Sequence, residues 1–237
     1  MLTLTPNGCI NIQLARTRTR LRRSPISPLT FRLPTAMSDT ALQPLILASG
    51  SPRRRHWLEA MRIPFELQVP QVDETPLLDE DPGDLVLRLA ELKAEVIAHR
   101  NPGRWVMAAD TTVAVDHHTL NKPRDVEDAV RMLTLIQGRA HQVHTGFCLQ
   151  WNGTIHSFVD TAQVFFRPLT EAQIRWYIGT REPMDKAGAY AIQGIGALFI
   201  ETVQGSFSTV MGLPVERMGA LFGHLGLLKP WMGFPRA

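Results

Sequence analysis

The 237-residue chain, 44% hydrophobic and 20% charged, is long enough for one sizeable core and has an ordinary globular composition. No stretch approaches the ~20 consecutive apolar residues of a membrane-spanning helix, so no membrane partner is expected. Two cysteines, Cys9 and Cys148, provide neither a disulfide framework nor a zinc spacing, and they suit a cytoplasmic location.

The net charge of +3 and the pI near 9.2 are set by one end of the chain. Arg16, Arg18, Arg20, Arg22, Arg23 and Arg32 lie in the first 38 residues, which contain no acid. Without these six, 19 of the 25 basic residues face 22 acidic ones over 39–237, a net charge of −3. A body of that charge does not point to nucleic acid. Residues 1–41 are rich in Arg, Ser, Thr and Pro without hydrophobic period, and are expected to be a disordered basic extension. Three readings of it stand: a start at Met37, a transit-peptide-like leader, or a genuine tail. One domain is expected over 42–231.

From Leu45 onward short apolar runs alternate with helical periods, which predicts an α/β fold. Leu45–Ala48 reads as a buried strand leading into Ser-Gly-Ser-Pro, with a helix carrying Leu58 and Met61 after it. Pro82–Arg100 reads as a helix, with Leu85, Leu89, Leu92 and Val96 on one face. Trp105–Ala109 is a buried strand running into Asp110. Asp125 is a helix N-cap followed by an acidic first turn, and Gly138 ends that helix. Strands are expected at 142–151 and 157–167 around the hairpin signal Asn152-Gly153. Thr170 and Gln173 have capping-box spacing. A strand over Ala197–Glu201 and a helix over Pro214–Phe222 complete the pattern. Hairpins beside crossover helices imply a mixed sheet with flanking helices.

Chemistry concentrates at a few positions. In Leu47–Arg55 a strand enters a Gly/Ser loop, Ser51-Pro52 starts a helix, and Arg53 and Arg54 follow. A helix N-terminus with adjacent guanidinium groups attracts phosphate. The same residues also read as an ordinary capped helix with a solvated basic patch. Asp110, placed inside or at the end of an apolar strand, needs a partner, because an unpaired buried carboxylate costs several kcal/mol, on the order of 3–5. A metal ligand, a general base or a structural hydrogen bond would each explain it. Glu74, Lys93 and Lys122 add carboxylate and ammonium groups of the kind phosphoryl chemistry requires. His141 and His144 are placed on opposite strand faces and are not read as ligands. The five tryptophans read as core and rim residues.

Leu47-Ala-Ser-Gly-Ser-Pro-Arg-Arg54, Val72-Asp-Glu-Thr75, Ala109-Asp-Thr111, Lys122-Pro123, Gly138-Arg-Ala-His141, Thr145-Gly146, Asp185–Gly194 and Val210-Met-Gly-Leu-Pro214 together resemble the Maf family in order and spacing. The resemblance implies an ITPase-like mixed α/β fold with a deep nucleotide-binding cleft. It also implies dependence on a divalent cation (Mg²⁺ or Mn²⁺), hydrolysis of a nucleoside triphosphate to the monophosphate and pyrophosphate, and possible homodimerisation. By position, Asp110 matches the family's proton acceptor, Glu74 its second acidic site with Asp110 as co-ligand of the metal, and Lys93 and Lys122 its phosphate-contacting lysines. Ser49 and Arg54 belong to the same phosphate-side motif. Arg53, Thr111 and Gln193 agree with the dTTP/UTP branch, whereas the 7-methyl-GTP branch carries Trp, Gln and Glu at those places. The implied role is house-cleaning of non-ideal nucleotides. Two alternatives remain open: a 7-methyl-GTP pyrophosphatase, and a nucleotide-binding regulator of septum formation. Arg55 and the N-terminal extension depart from the family pattern.

Overall fold

A computed structural model describes residues 2–4, 10–12, 43–116 and 118–228. The expected disorder of the N-terminal extension therefore lies outside the described residues, apart from two short strands. These are β1 (Leu2–Leu4) and β2 (Ile10–Ile12), which pair antiparallel. The remaining strands are β3 (Leu45–Leu47), β4 (Phe65–Leu67), β5 (Val106–Val115), β6 (His118–Leu120), β7 (Ala140–Trp151), β8 (Thr154–Phe166) and β9 (Ile200–Gln204). They form one sheet in the order β4-β3-β5-β7-β8-β9, with β6 also paired to β5. β3 runs parallel to β4 and β5, and the other pairs are antiparallel, so the sheet is mixed as the sequence predicts.

The helices are α1 (Pro52–Ala60), α2 (Pro82–Arg100), α3 (Val126–Ile136), α4 (Glu171–Gly179), the short α5 (Phe207–Val210) and α6 (Val215–His224). None of the described helices is long and apolar enough to cross a membrane. Capping chemistry explains several boundaries. Asp81 accepts from the Gly83 N–H and Asp125 from the Asp128 N–H, while Thr170 and Gln173 close a full capping box. In the β7–β8 hairpin Asn152 and Gly153 both take positive φ, 45° and 80°, as the primed turns that suit strand twist require.

Several boundaries differ from the sequence reading. β7 and β8 begin earlier than expected, because the pairing runs unbroken from Trp151↔Thr154 to Ala140↔Phe165 and long-range hydrogen bonds, not local propensity, set its length. The strand expected over Ala197–Glu201 is instead a 3-10 turn over Ile195–Phe199 followed by β9. Four apolar residues in a row, Ala197–Ile200, did not distinguish the two, and only the pairing of Ile200–Gln204 with β8 starts the strand.

β5 lies at the centre and carries the site. Val106 and Ala108 pack with Ala90, Ala94 and Ile97 of α2, whereas Met107 and Ala109 pack with Leu58 of α1 and Met218 and Phe222 of α6. Strand side chains alternate between faces, so Asp110 falls on the α2 side and Thr111 on the α1 side. They are the only two residues of β5 that are not fully buried. Opposite Asp110 in the pairing stands Gly146 of β7. A Cβ there would lie 2.2 Å from the Val86 carbonyl oxygen, so this glycine is what allows α2 to sit against the sheet. Gly146→Ala is expected to push α2 outward and destabilise the fold by about 3 kcal/mol, the upper part of the usual overpacking range. Urea denaturation of the two proteins checks it. An unchanged midpoint would mean that α2 is not held by this contact.

His141 is buried and its Nε2 shares a hydrogen bond with the Tyr190 hydroxyl at 2.8 Å. Burial pulls its imidazole down to about 3, so it is a neutral core residue. His144 bonds Thr161 instead, and the two side chains do not converge. Trp105 is buried and stacks on Trp151, whereas Trp176 is exposed on α4.

Candidate active site

A cleft of about 570 Å³ opens where β3, α1, α2 and β5 meet the 185–193 and 210–212 segments. All nine residues singled out from the sequence line it: Ser49, Arg53, Arg54, Glu74, Lys93, Asp110, Thr111, Lys122 and Gln193. Five cationic side chains, the fifth being Lys186, face three carboxylates, the third being Asp185. The cleft therefore carries an excess of positive charge inside a body that is net acidic, which suits a polyanionic ligand.

Asp110 is not unpaired. Lys93, projecting from α2, donates to Asp110 Oδ1 at 2.6 Å and lies 2.7 Å from Glu74 Oε1. The Lys93 and Asp110 side chains are 9% and 14% exposed, and Glu74, on the loop before α2, is 57% exposed. One ammonium thus bridges two carboxylates contributed by a strand and a loop. Lys93, a phosphate-contacting position by the family resemblance, is held here by these two acids. The convergence also means that both carboxylates reach one cation-sized point. Among the described residues no group of three or more His, Cys, Asp or Glu side chains gathers to hold a metal.

Arg54 is the second organised group. It is buried, and its guanidinium donates to the Gly212 carbonyl (2.8 Å), Ser49 Oγ (3.1 Å) and Thr111 Oγ1 (3.0 Å). Burial lowers its pKa; the charge of Asp110 opposes this, the charge of Arg53 adds to it, and the charge of Glu74 opposes it. Thr111 Oγ1 shares a hydrogen bond with Thr145 Oγ1 at 3.0 Å, and Thr145 donates to the Thr209 carbonyl at 2.8 Å. Arg54 therefore ties α1 to β5 and to the 209–212 turn and frames the cleft floor. Ser51 holds the α1 N-cap position without capping an N–H through its hydroxyl, while Ser49 Oγ accepts from the Ser51 N–H at 3.2 Å.

Arg53 and Lys122 line the cleft with no hydrogen bond or ion pair among the described residues, so their charges are the ones available to a ligand. Lys186 is tied to the Glu182 carbonyl and to Asp185. Gln193 is exposed at the cleft wall. Thr145, Gly212 and Lys186 lie within the family motifs, and nothing in the sequence gives them a place in the site. The Thr111↔Thr145 pairing is a matter of register, and no local signal could have supplied it.

Fold and cleft together define an α/β protein built to receive a polyanionic ligand beside a pair of carboxylates. The Maf family profile, described as Maf-like protein, matches residues 44–225, and this chain belongs to that family. The dTTP/UTP pyrophosphatase of Myxococcus xanthus (strain DK1622) is 47% identical over 187 residues, 79% of this chain and 95% of that protein. The dTTP/UTP pyrophosphatase of Thermus thermophilus is 48% identical over 183 residues, 77% of this chain and 95% of that protein. Among solved structures, the Staphylococcus aureus Ham1 protein superposes with a TM-score of 0.46 at 14% identity, covering 78% of this chain and 98% of that one.

Proposed function

We propose that this chain hydrolyses dTTP and UTP to the monophosphate and pyrophosphate, a house-cleaning activity against non-ideal nucleotides. The observation that carries this reading is 47% identity to a dTTP/UTP pyrophosphatase along 95% of that enzyme's length. Arg53, Thr111 and Gln193, the three residues of the pyrimidine branch pattern, all line the cleft that would hold the nucleotide.

In this mechanism the Asp110 carboxylate takes a proton from the water that attacks phosphorus, and the bridging bond between the α- and β-phosphates breaks as pyrophosphate leaves. Arg53 and Lys122, which make no hydrogen bond or ion pair among the described residues, take up the charge developing on the leaving group. Arg54 holds Thr111 and the Gly212 turn in place around the substrate. Lys93 holds the two carboxylates in position. A divalent cation such as Mg²⁺ or Mn²⁺ fits Glu74 and Asp110, because such ions commonly take one or two protein carboxylates and complete their shell with water and phosphate. When bound it would neutralise phosphate oxygens and acidify water. The reading extends to a homodimer on the family resemblance alone, and to a cytoplasmic location on the two-cysteine composition.

A panel of nucleoside triphosphates with pyrophosphate detection tests it. Hydrolysis of dTTP and UTP is expected to be at least about ten times more efficient than that of 7-methyl-GTP, a difference of about 1.4 kcal/mol in transition-state binding. Preference for 7-methyl-GTP would overturn the base assignment and leave the chemistry standing. Release of pyrophosphate from none of them would overturn the whole reading.

A further inference from the structure

Gln193 reaches the cleft from a segment that is fastened on both sides by side chains standing outside it. On its N-terminal side the Ala191 N–H donates to the Tyr177 hydroxyl of α4 at 3.1 Å. On its C-terminal side the Ile195 N–H donates to Glu182 Oε2 and the Gly196 N–H to Glu182 Oε1, each at 3.0 Å. The Tyr177 hydroxyl in turn donates to Glu182 Oε1 at 2.7 Å, which joins the two fastenings into one bridge. The fit is close. A Cβ on Gly194 would lie 2.4 Å from Glu182 Oε2, and one on Gly196 would lie 2.6 Å from both the Tyr177 hydroxyl and the Ala191 carbonyl. Burial pushes the Glu182 carboxyl up. The hydrogen bonds from Gly196, Tyr177 and Ile195, with the charge of Lys186, outweigh burial and hold it below the usual range. It is therefore an ionised acceptor at neutral pH.

A side-chain amide both donates and accepts, and it changes preference when it turns over. Uracil and thymine present an N3–H donor beside the O4 acceptor, whereas cytosine presents an N3 acceptor beside an amino donor. An amide held in one orientation distinguishes the two edges, and one free to turn matches either. We infer that Glu182 and Tyr177 are positioning residues for base selection, fixing the backbone around Gln193 so that its amide meets the pyrimidine edge in one orientation. This rests on the proposed function.

The test is steady-state pyrophosphate release by the full chain with UTP and CTP, for the wild type, Glu182→Gln, Tyr177→Phe and Gln193→Ala. Glu182→Gln keeps the shape but replaces one acceptor oxygen with a donor facing N–H groups. Tyr177→Phe keeps the ring and removes only the hydroxyl. The wild type is expected to favour UTP. Each variant is expected to reduce the UTP/CTP ratio of kcat/KM at least about tenfold. For UTP the loss should fall on KM more than on kcat. Adding Glu182→Gln to Gln193→Ala should change the ratio less than about twofold further, as expected when two residues act through one group. A wild type that favours UTP and keeps its ratio in both clamp variants would overturn this inference alone. Loss of kcat on both nucleotides at unchanged ratio, or fully additive losses in the double variant, would do the same. A wild type that releases pyrophosphate from no nucleoside triphosphate would overturn the functional reading, and this one with it.

Discussion

Asp110→Asn is expected to lower kcat for dTTP by at least about a hundredfold, the lower end of what removing a general base costs. The amide is nearly the same size and can still accept from Lys93 Nζ, which lies 2.6 Å from Asp110 Oδ1, but it has neither negative charge nor basicity. Breaking a buried ion pair ordinarily costs about 3–5 kcal/mol because a charge is left alone. Here Lys93 keeps Glu74 at 2.7 Å, so the ammonium is not stranded. The melting temperature should therefore fall by less than about 5 °C. Pyrophosphate release at saturating metal, read beside thermal melting of both proteins, separates the alternatives. Near-wild-type kcat would assign the base to another group. A collapsed melting temperature would make Asp110 chiefly a structural partner of Lys93.

Arg54→Met should damage both stability and catalysis. Met approximates the aliphatic stem but supplies none of the three donors to Gly212, Ser49 and Thr111. Hydrogen bonds to a charged group are worth about 1.5–3 kcal/mol each, and the returned desolvation of the buried guanidinium offsets part of their loss. A net destabilisation of about 3 kcal/mol follows, or roughly 6–12 °C in melting temperature for a domain of this size. kcat/KM should drop by about a hundredfold, about 2.7 kcal/mol, because Thr111 and the Gly212 turn lose their common anchor. Arg54→Lys restores the charge but cannot span three acceptors with a point donor, so it should recover less than about a tenth of the lost activity. Full recovery by lysine would show that charge alone matters at this position.

Much of the site was legible before any coordinates because its members sit in short segments whose local chemistry is distinctive. Asp110 stood out as a carboxylate inside an apolar run, and Arg53 and Arg54 as guanidinium groups just inside a proline-started helix. The α2 boundaries and the Thr170 capping box were readable because caps act through residues two to four positions away. The start of β9 was not, since a 3-10 turn and a buried strand can share the same run of apolar residues. Glu182 carried no signal at all. Its role depends on backbone N–H groups 13 and 14 residues further along, brought to it by a fold in the chain.

By itself the sequence determined the α/β class, the family, the acidic body beneath a basic terminal segment and nine of the residues that line the cleft. Those are properties of composition, periodicity and short motifs, each confined to neighbours along the chain. Only the tertiary structure decided which charges remain free for a ligand. Lys93 is taken up by Asp110 and Glu74, and Arg54 by Gly212, Ser49 and Thr111, whereas Arg53 and Lys122 make no hydrogen bond or ion pair among the described residues. Strand register places Gly146 opposite Asp110, and the missing Cβ lets α2 approach closely enough to bring Lys93 to the carboxylates. Pairing of groups dozens of residues apart is fixed by hydrogen-bond register and close packing, and neither is written in any local stretch of the chain.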